Sequence, residues 1–254
     1  MTQEHEQELG VLRSVMTFTI HSQYAAKIWN GRPIVREGKE IIKAQILSMP
    51  NCLALLSQIQ KDAANDDPYA DWYLLQFEEK VLKHSEEMKK YINQIVDIYA
   101  DRVPENMDIQ GALNINPITY PIYANSQLGY KLIYLLADFD MLARSVQTAS
   151  HIALMTRRQA QEWLEAGAKL IRQCFGVVEN YRHSGITRQD VIENNERYKE
   201  SIKRFRLTLP ESILTGERRA EFAPTIRNQA NVAEIDEFEN GAVTQERGKY
   251  EPNL

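Results

Sequence analysis

Apolar residues recur at helical spacing over most of the chain, and one short stretch breaks that pattern. A repeat of three to four residues predicts helices over 23–29, 38–49, 52–62, 68–99, 126–155, 157–176 and 187–207. Residues 15–21 alternate instead, with Met16, Phe18 and Ile20 on one face of an extended chain. The sequence therefore predicts a mainly α protein, a helical bundle with a short N-terminal β-strand.

Capping signals mark the starts of several helices and breakers mark their ends. Side chains suited to the position before a helix are Ser22, Asp67 (followed by Pro68), Thr156 (with Gln159) and Thr187 (with Asp190). Between residues 101 and 122 lie three prolines and a glycine. That density predicts a long crossing loop with little regular structure.

The predicted strand needs a partner, because an isolated strand leaves its backbone groups without hydrogen bonds. The sequence contains no second strand of similar quality. Two copies are therefore expected to pair antiparallel across a two-fold axis, with Met16, Phe18 and Ile20 forming the core of a homodimer. Thr17, Thr19 and His21 would then face outward. A two-stranded ribbon of this kind fits the major groove of DNA, where threonine can contact base edges.

Charge is distributed unevenly along the chain. The net charge of −5 argues against a protein that coats nucleic acid indiscriminately. Residues 11–49 nevertheless carry six bases against two acids, whereas residues 62–108 carry 12 acids against 5 bases. Because local charge decides where a phosphate backbone docks, the N-terminal region is the predicted DNA-facing part.

Strand, helix, turn and helix in this order resemble the ribbon-helix-helix class of transcription regulators. In that class the ribbon reads bases, and the N-terminus of the second helix holds a phosphate. The resemblance implies base contacts from Arg13, Thr17, Thr19 and His21, and phosphate contacts from Arg32, Arg36, Gly38, Lys39 and Lys43. Residues 31–37 are longer than the usual turn, which leaves the register of the second helix open. The alternative is a small edge strand whose threonine face is merely exposed to solvent.

Five separate blocks carry a further resemblance, which runs from about residue 6 to residue 226. The blocks are EQELGVLRS (6–14), DDPYAD (66–71), YLLADFD (134–140), YRHSGITR (181–188) and FAP (222–224). They are similar to a family of proteins encoded on integrating conjugative elements and plasmids, which includes AcaB-like regulators. That resemblance implies a ribbon-helix-helix activator of conjugative transfer genes.

The expected organisation has four parts. They are a flexible N-terminal arm (1–12), a ribbon-helix-helix-like DNA-binding unit (13–50), a helical bundle (51–210) and a largely disordered tail (211–254), where the hydrophobic pattern fades. No apolar run reaches the roughly 18 residues of a membrane span. The acidic, polar N-terminus does not resemble a signal peptide. A cytoplasmic bacterial protein that does not enter the membrane is expected.

Other candidate chemistry in the sequence is weak. Asp138 and Asp140 lie too far from His151 along one helix to share a metal ion, and Asp140 with Arg144 has the spacing of an ion pair. Cys52 and Cys174 lie in apolar helical patterns, typical of buried thiols. The basic residues between 182 and 206 alternate with acids, which favours a solvated helix over an auxiliary phosphate contact. We expect no metal, no cofactor and no enzymatic activity.

The sequence is thus interpreted as a homodimeric, sequence-specific DNA-binding regulator, of the activator type, for transfer genes. Its expected partners are double-stranded DNA, a second copy and, for activation, RNA polymerase or another regulator. The alternative is a structural or interaction subunit of a conjugation apparatus that does not touch DNA. The operator sequence, any small-molecule effector and the choice between activation and repression stay open.

Overall fold

The computed structural model describes residues 16–109, 111–124 and 126–227. Within these ranges the elements are β1 (Met16–Ile20), α1 (Gln23–Asn30), β2 (Val35–Glu37), β3 (Glu40–Lys43), α2 (Met49–Ala64), α3 (Pro68–Arg102), β4 (Ile118–Ile122), α4 (Gln127–His151), α5 (Arg157–Glu179), α6 (Arg188–Ile192), α7 (Glu196–Phe205) and α8 (Glu211–Leu214). The prediction of a mainly helical protein is confirmed. None of the described helices is both long and apolar enough to cross a membrane.

Helices α3, α4 and α5 pack on one another and form the centre of the molecule. The apolar repeat of α4 explains why this helix is central, since Leu128, Leu132 and Phe139 are fully buried. A Cβ atom added at Gly167 of α5 would lie 2.8 Å from the ring of Phe139. The absence of a side chain there lets α5 approach α4 closely.

The predicted capping residues occupy the positions that the sequence assigns to them. Ser22 Oγ accepts a hydrogen bond from Ala25 N (3.1 Å), and Asp67 Oδ1 accepts one from Tyr69 N (2.9 Å). The capping box of Thr156 and Gln159 is present at α5. The predicted helix over 187–207 is divided into α6 and α7, because Asn194 has a positive φ of 48°.

Strand β1 pairs antiparallel with β4 of the same chain, and not with β1 of a second copy as the sequence predicts. Phe18 lies opposite Tyr120, and Thr19 opposite Thr119. The predictions that the chain holds no partner strand and that 101–122 is only loop are wrong. Pro121 obscured β4 in the sequence. Both strands of a two-stranded ribbon are edge strands, and an edge position tolerates proline.

The segment predicted as a second helix, 38–49, is mainly a β-hairpin followed by the start of α2. Strands β2 and β3 pair antiparallel around a two-residue turn, Gly38–Lys39. Gly38 has φ +60° at the first central position, which a type II′ turn requires. The ribbon-helix-helix order therefore ends after α1, and a dimer is not needed to complete the ribbon.

Residues 211–227 pack onto the bundle, so the predicted disordered tail does not begin at residue 211. Ile213 is 1% exposed and Ile226 is 4% exposed. Backbone N–H groups of Glu221 and Phe222 donate to the carboxylate of Glu78 on α3. The remaining predictions for residues 1–15 and 228–254 lie outside the described residues.

Candidate nucleic-acid interface

The outer face of the β1–β4 ribbon presents a row of exposed threonines. Thr17 and Thr19 lie on β1, and Thr119 lies on β4. The Oγ1 atoms of Thr19 and Thr119 are 3.0 Å apart and share a hydrogen bond. The alternation of the sequence thus assigns the two faces of β1 correctly, while Thr119 was missed together with its strand.

The inner face of the ribbon packs into its own chain. Trp29 of α1 lies between Phe18 and Tyr120, with ring centroids 5.9 Å and 4.7 Å apart. Ile20 is 2% exposed, and Met16 packs against the same core. The prediction that Met16, Phe18 and Ile20 form a dimer core is therefore wrong, because helices α1 and α4 of the same chain cover them.

Asp140 of α4 fixes the junction between ribbon and bundle. Its Oδ1 accepts a hydrogen bond from Ser22 N (2.7 Å), and its Oδ2 accepts one from His21 N (3.2 Å). The predicted ion pair is confirmed, with Arg144 Nε 3.6 Å from Asp140 Oδ2. The sequence signal for this anchor is a carboxylate within the most apolar helix. In the structure the Asp140 side chain is 4% exposed, and a buried carboxylate requires hydrogen-bond donors.

His21 lies at the end of the ribbon and outside the threonine row. Asn114 N donates to His21 Nδ1 (3.3 Å), and Asn114 Nδ2 donates to the carbonyl of His21 (3.1 Å). These two bonds join the segment after β1 to the segment before β4. Because the first bond already engages the imidazole, His21 is less available than the threonines for contacts with bases. Arg13, the remaining predicted base contact, lies outside the described residues.

The β2–β3 hairpin projects from the molecule, and every residue of its two strands is exposed. Arg36, Lys39 and Lys43 all lie on it, together with two acids, Glu37 and Glu40. Arg32 has a structural contact instead, since its Nε and Nη2 donate to the carbonyl of Ala44 at 3.3 and 3.0 Å. Gly38 lies in the turn. The predicted phosphate site at a helix N-terminus is therefore wrong, because no helix begins there.

Apolar side chains on the hairpin are exposed as well. Ile41 is 55% exposed, Ile42 is 50% exposed and Val35 is 40% exposed. A two-stranded hairpin outside a larger sheet is only marginally stable in water. Its exposed basic and apolar side chains make the hairpin a candidate contact surface.

A buried network of acids and arginines joins two of the sequence blocks quoted above. Arg188 donates to Asp66 and to Asp71, and Arg219 donates through two nitrogens to the same Asp71, which is 0% exposed. Arg188 is thus a core ion-pair partner and not a phosphate contact.

The neighbouring acids of the same network accept from hydroxyl groups. Ser184 Oγ donates to Asp67 Oδ2, and Tyr181 Oη donates to Asp62 Oδ2, both at 2.6 Å. Burial raises the pKa of Asp67, and the hydrogen bond from Ser184 opposes that shift. The bonds between blocks 66–71 and 181–188 therefore hold the start of α3 against the 181–188 segment.

Metal and thiol chemistry find little support in the described ranges. No group of three or more His, Cys, Asp or Glu side chains among the described residues could hold a metal ion. Cys52 and Cys174 are free and buried, and burial raises the pKa of Cys174 to about 12. Both thiols therefore stay protonated at neutral pH and fill the core.

The fold defines a mainly helical protein with one anchored two-stranded ribbon, and the family follows from the comparisons. The family model described as Transcriptional regulator AcaB matches residues 8–227, so the chain belongs to the AcaB family. A comparison with curated proteins found no match. The fold is similar to the crystal structure of selenomethionine-containing AcaB from uropathogenic E. coli, at 15% identity and a TM-score of 0.50, over 80% of this chain and 95% of that one.

Proposed function

We propose that this protein is a sequence-specific DNA-binding regulator that activates conjugative transfer genes. The observation that carries the proposal is the exposed row of Thr17, Thr19 and Thr119 on a ribbon whose other face is anchored in the core. Membership of the AcaB family supports the regulator role. The sequence blocks shared with proteins of conjugative elements support the choice of target genes.

The ribbon suits direct readout of base edges. A two-stranded β-ribbon fits within the major groove, where each base pair presents a distinct set of donors and acceptors. A threonine hydroxyl both donates and accepts, and its methyl group can contact the methyl of thymine. Because Asp140 and Trp29 already fix the ribbon, little ordering is required on binding.

The hairpin is suited to the phosphate backbone. Arg36, Lys39 and Lys43 can neutralise phosphates without reading sequence, and such contacts fix the register of the protein on the duplex. The hairpin starts just after α1, next to the ribbon, where Tyr120 Oη donates to Asn30 Oδ1 at 3.4 Å. We expect the hairpin to reach the backbone of the duplex that the ribbon reads.

Two copies acting together complete the proposal. A two-fold dimer would place one ribbon in each of two successive major grooves, as paired half-sites require. Activation would further involve RNA polymerase or a second regulator, in the bacterial cytoplasm. Sedimentation of the protein with and without its operator measures the number of copies.

The decisive test compares threonine variants in competition binding against promoter fragments of a conjugative element. Thr17→Ala should lower discrimination at particular base pairs by about 1–3 kcal/mol and leave the thermal unfolding midpoint unchanged. Thr208→Ala removes an exposed threonine remote from the ribbon in sequence and serves as the matched control. Equal discrimination by the wild type, Thr17→Ala and Thr19→Ala would overturn the assignment of the ribbon.

A structural or interaction subunit of a conjugation apparatus is the second candidate. The exposed Val35, Ile41 and Ile42 of the hairpin favour it, because apolar side chains at a projecting tip suit a protein partner. A purified protein without sequence preference at physiological salt would select this candidate.

A further inference from the structure

A cleft of about 560 Å³ lies beside the base of the ribbon. It is bounded by the start of α1, by Ile109 and the segment 112–114, and by the C-terminal half of α4. A second cleft, of about 430 Å³, shares Gln147 and His151 with it. The first volume falls within the range of about 300–1,000 Å³ that small-molecule sites occupy.

The lining of this cleft combines an apolar wall with cationic and titratable groups. Ile109, Leu113 and Ile152 supply the apolar part, and Arg144, His21 and His151 supply the cationic and titratable part. The described residues that line the two clefts include no aspartate and no glutamate. A ligand with a negative charge and an apolar body would match both parts of this lining.

Arg144 is paired with Asp140, yet one of its donor atoms makes no hydrogen bond. Its Nε is buried and has no hydrogen-bond partner among the described residues. Asp140 lies nearby, but its two oxygens accept from the N–H groups of His21 and Ser22, and Nε remains 3.6 Å away. The hydrogen-bonding capacity of this guanidinium is therefore not used up by Asp140, and the Arg144 side chain lines the cleft, where an acceptor can meet it.

We propose that the cleft is a binding site for a small amphipathic organic anion. Its carboxylate would bind Arg144, and its apolar body would lie against Leu113 and Ile152. The size and lining of the cleft carry this assignment, together with the Arg144 guanidinium, whose Nε atom makes no hydrogen bond.

The same cleft touches both strands of the ribbon at their ends. His21 directly follows β1, and Asn114 precedes β4 by four residues and donates to His21. A bound anion therefore changes the surroundings of the two segments that set the position of the threonine row. We infer, resting on the proposed function, that the anion is an effector of DNA affinity. A bound anion shifts the protein toward whichever conformation has the higher affinity for the anion.

The site is tested first on the free protein by isothermal titration with three probes that share an eight-carbon body. Octanoate should bind, while octan-1-ol and octylammonium should bind at least about tenfold more weakly, because they lack the negative charge. Arg144→Met and Leu113→Glu should each weaken octanoate by at least about tenfold. Arg158→Met, which removes a guanidinium with a 90% exposed side chain outside the cleft, should bind like the wild type.

Leu113→Glu keeps the test decisive if Arg144→Met lowers folding stability, because Leu113 is 66% exposed and contributes little to the core. Absence of octanoate binding, or equal binding by the wild type and both variants, would overturn the site. A second titration measures operator affinity with and without octanoate, and an unchanged affinity would overturn the effector role. Failure of the protein to bind DNA would refute the proposed function, whereas the titration of the free protein would still decide the site.

Discussion

The molecule carries two antiparallel two-stranded units, and they are attached to the bundle in opposite ways. The β1–β4 ribbon buries one face on Trp29 and is fixed by the carboxylate of Asp140. The β2–β3 hairpin exposes every strand residue and is tied down at its base, where Arg32 pairs with Ile46 and donates to Ala44. The same local architecture therefore yields one rigid element and one loosely held element.

Under the proposed function, the two units would make different kinds of contact with DNA. Reading bases requires donors and acceptors held at fixed positions, which the anchored ribbon supplies. Neutralising phosphates requires charge near the backbone and tolerates movement, which suits a projecting hairpin with Arg36, Lys39 and Lys43. Substitutions in the two units should accordingly differ in their effects on stability and on binding.

The largest effect is expected at the anchor of the ribbon. Asp140→Ala leaves the amides of His21 and Ser22 without their acceptor and Arg144 without its counter-ion, and we expect a loss of about 3 kcal/mol in the free energy of unfolding. Urea denaturation followed by circular dichroism measures it. Asp138→Ala, two residues earlier on the same helix, is the control.

Asp138 is a suitable control because it is half-buried and lacks that set of partners. Burial raises the pKa of its carboxyl group, so removal of the charge is expected to change stability by less than about 1 kcal/mol. Equal losses for Asp140→Ala and Asp138→Ala would contradict the role of Asp140 as the anchor.

The next effect separates the two units directly. Phe18→Ala removes a ring that packs on Trp29 and should destabilise the protein by about 2 kcal/mol, less than a fully buried phenylalanine would. Ile41→Ala removes a side chain that is 55% exposed on the hairpin and should cost less than about 0.5 kcal/mol. Thermal unfolding of the two variants measures the difference. A larger loss for Ile41→Ala would show that the hairpin is covered, as in a contact between copies.

The sequence predicted the helical part of this fold well because its signals are local. Capping at Ser22, Asp67 and Thr156 and the apolar repeat of α4 each lie within a few turns of helix. The two faces of β1 also followed from its own alternation. Such patterns need no knowledge of what lies elsewhere in the chain.

The pairing of the ribbon could not be predicted in the same way. Strand β4 lies about 100 residues after β1 and contains Pro121. The pairing of β1 with β4 is therefore set by tertiary packing against Trp29 and not by local preference. The sequence predicts a helix where the hairpin lies, because Ile41, Ile42 and Ile46 also satisfy helical spacing. Their β-branched side chains and Gly38 were the contrary signals.

A smaller effect is expected in the turn of the hairpin. Gly38 has φ +60°, and a Cβ atom added there would meet nothing within 4 Å, so Gly38→Ala changes backbone strain alone. We expect a cost of about 1–2 kcal/mol that opens the hairpin locally. Amide hydrogen exchange should rise over 35–43, while the thermal midpoint of the whole protein stays close to that of the wild type.

The control for this prediction is Gly176→Ala in α5. That position also has open space around an added Cβ atom but lacks a positive φ, so the substitution should be neutral or stabilising by up to about 1 kcal/mol. A large drop in the thermal midpoint of the whole protein for Gly38→Ala would mean that the hairpin unfolds together with the bundle and is not loosely held.

The smallest effect concerns binding and distinguishes the hairpin from the ribbon by its chemistry. Lys39→Gln should weaken binding to all DNA sequences by a similar factor, and it should reduce the slope of log affinity against log salt by about 1, as loss of one phosphate contact does. Thr17→Ala should leave that slope unchanged and alter the preference among sequences. Lys169→Gln, an exposed lysine of α5, controls for the loss of charge. If Lys39→Gln changes sequence preference while the salt slope stays fixed, the hairpin reads bases, and the assignment of separate roles to the two units is wrong.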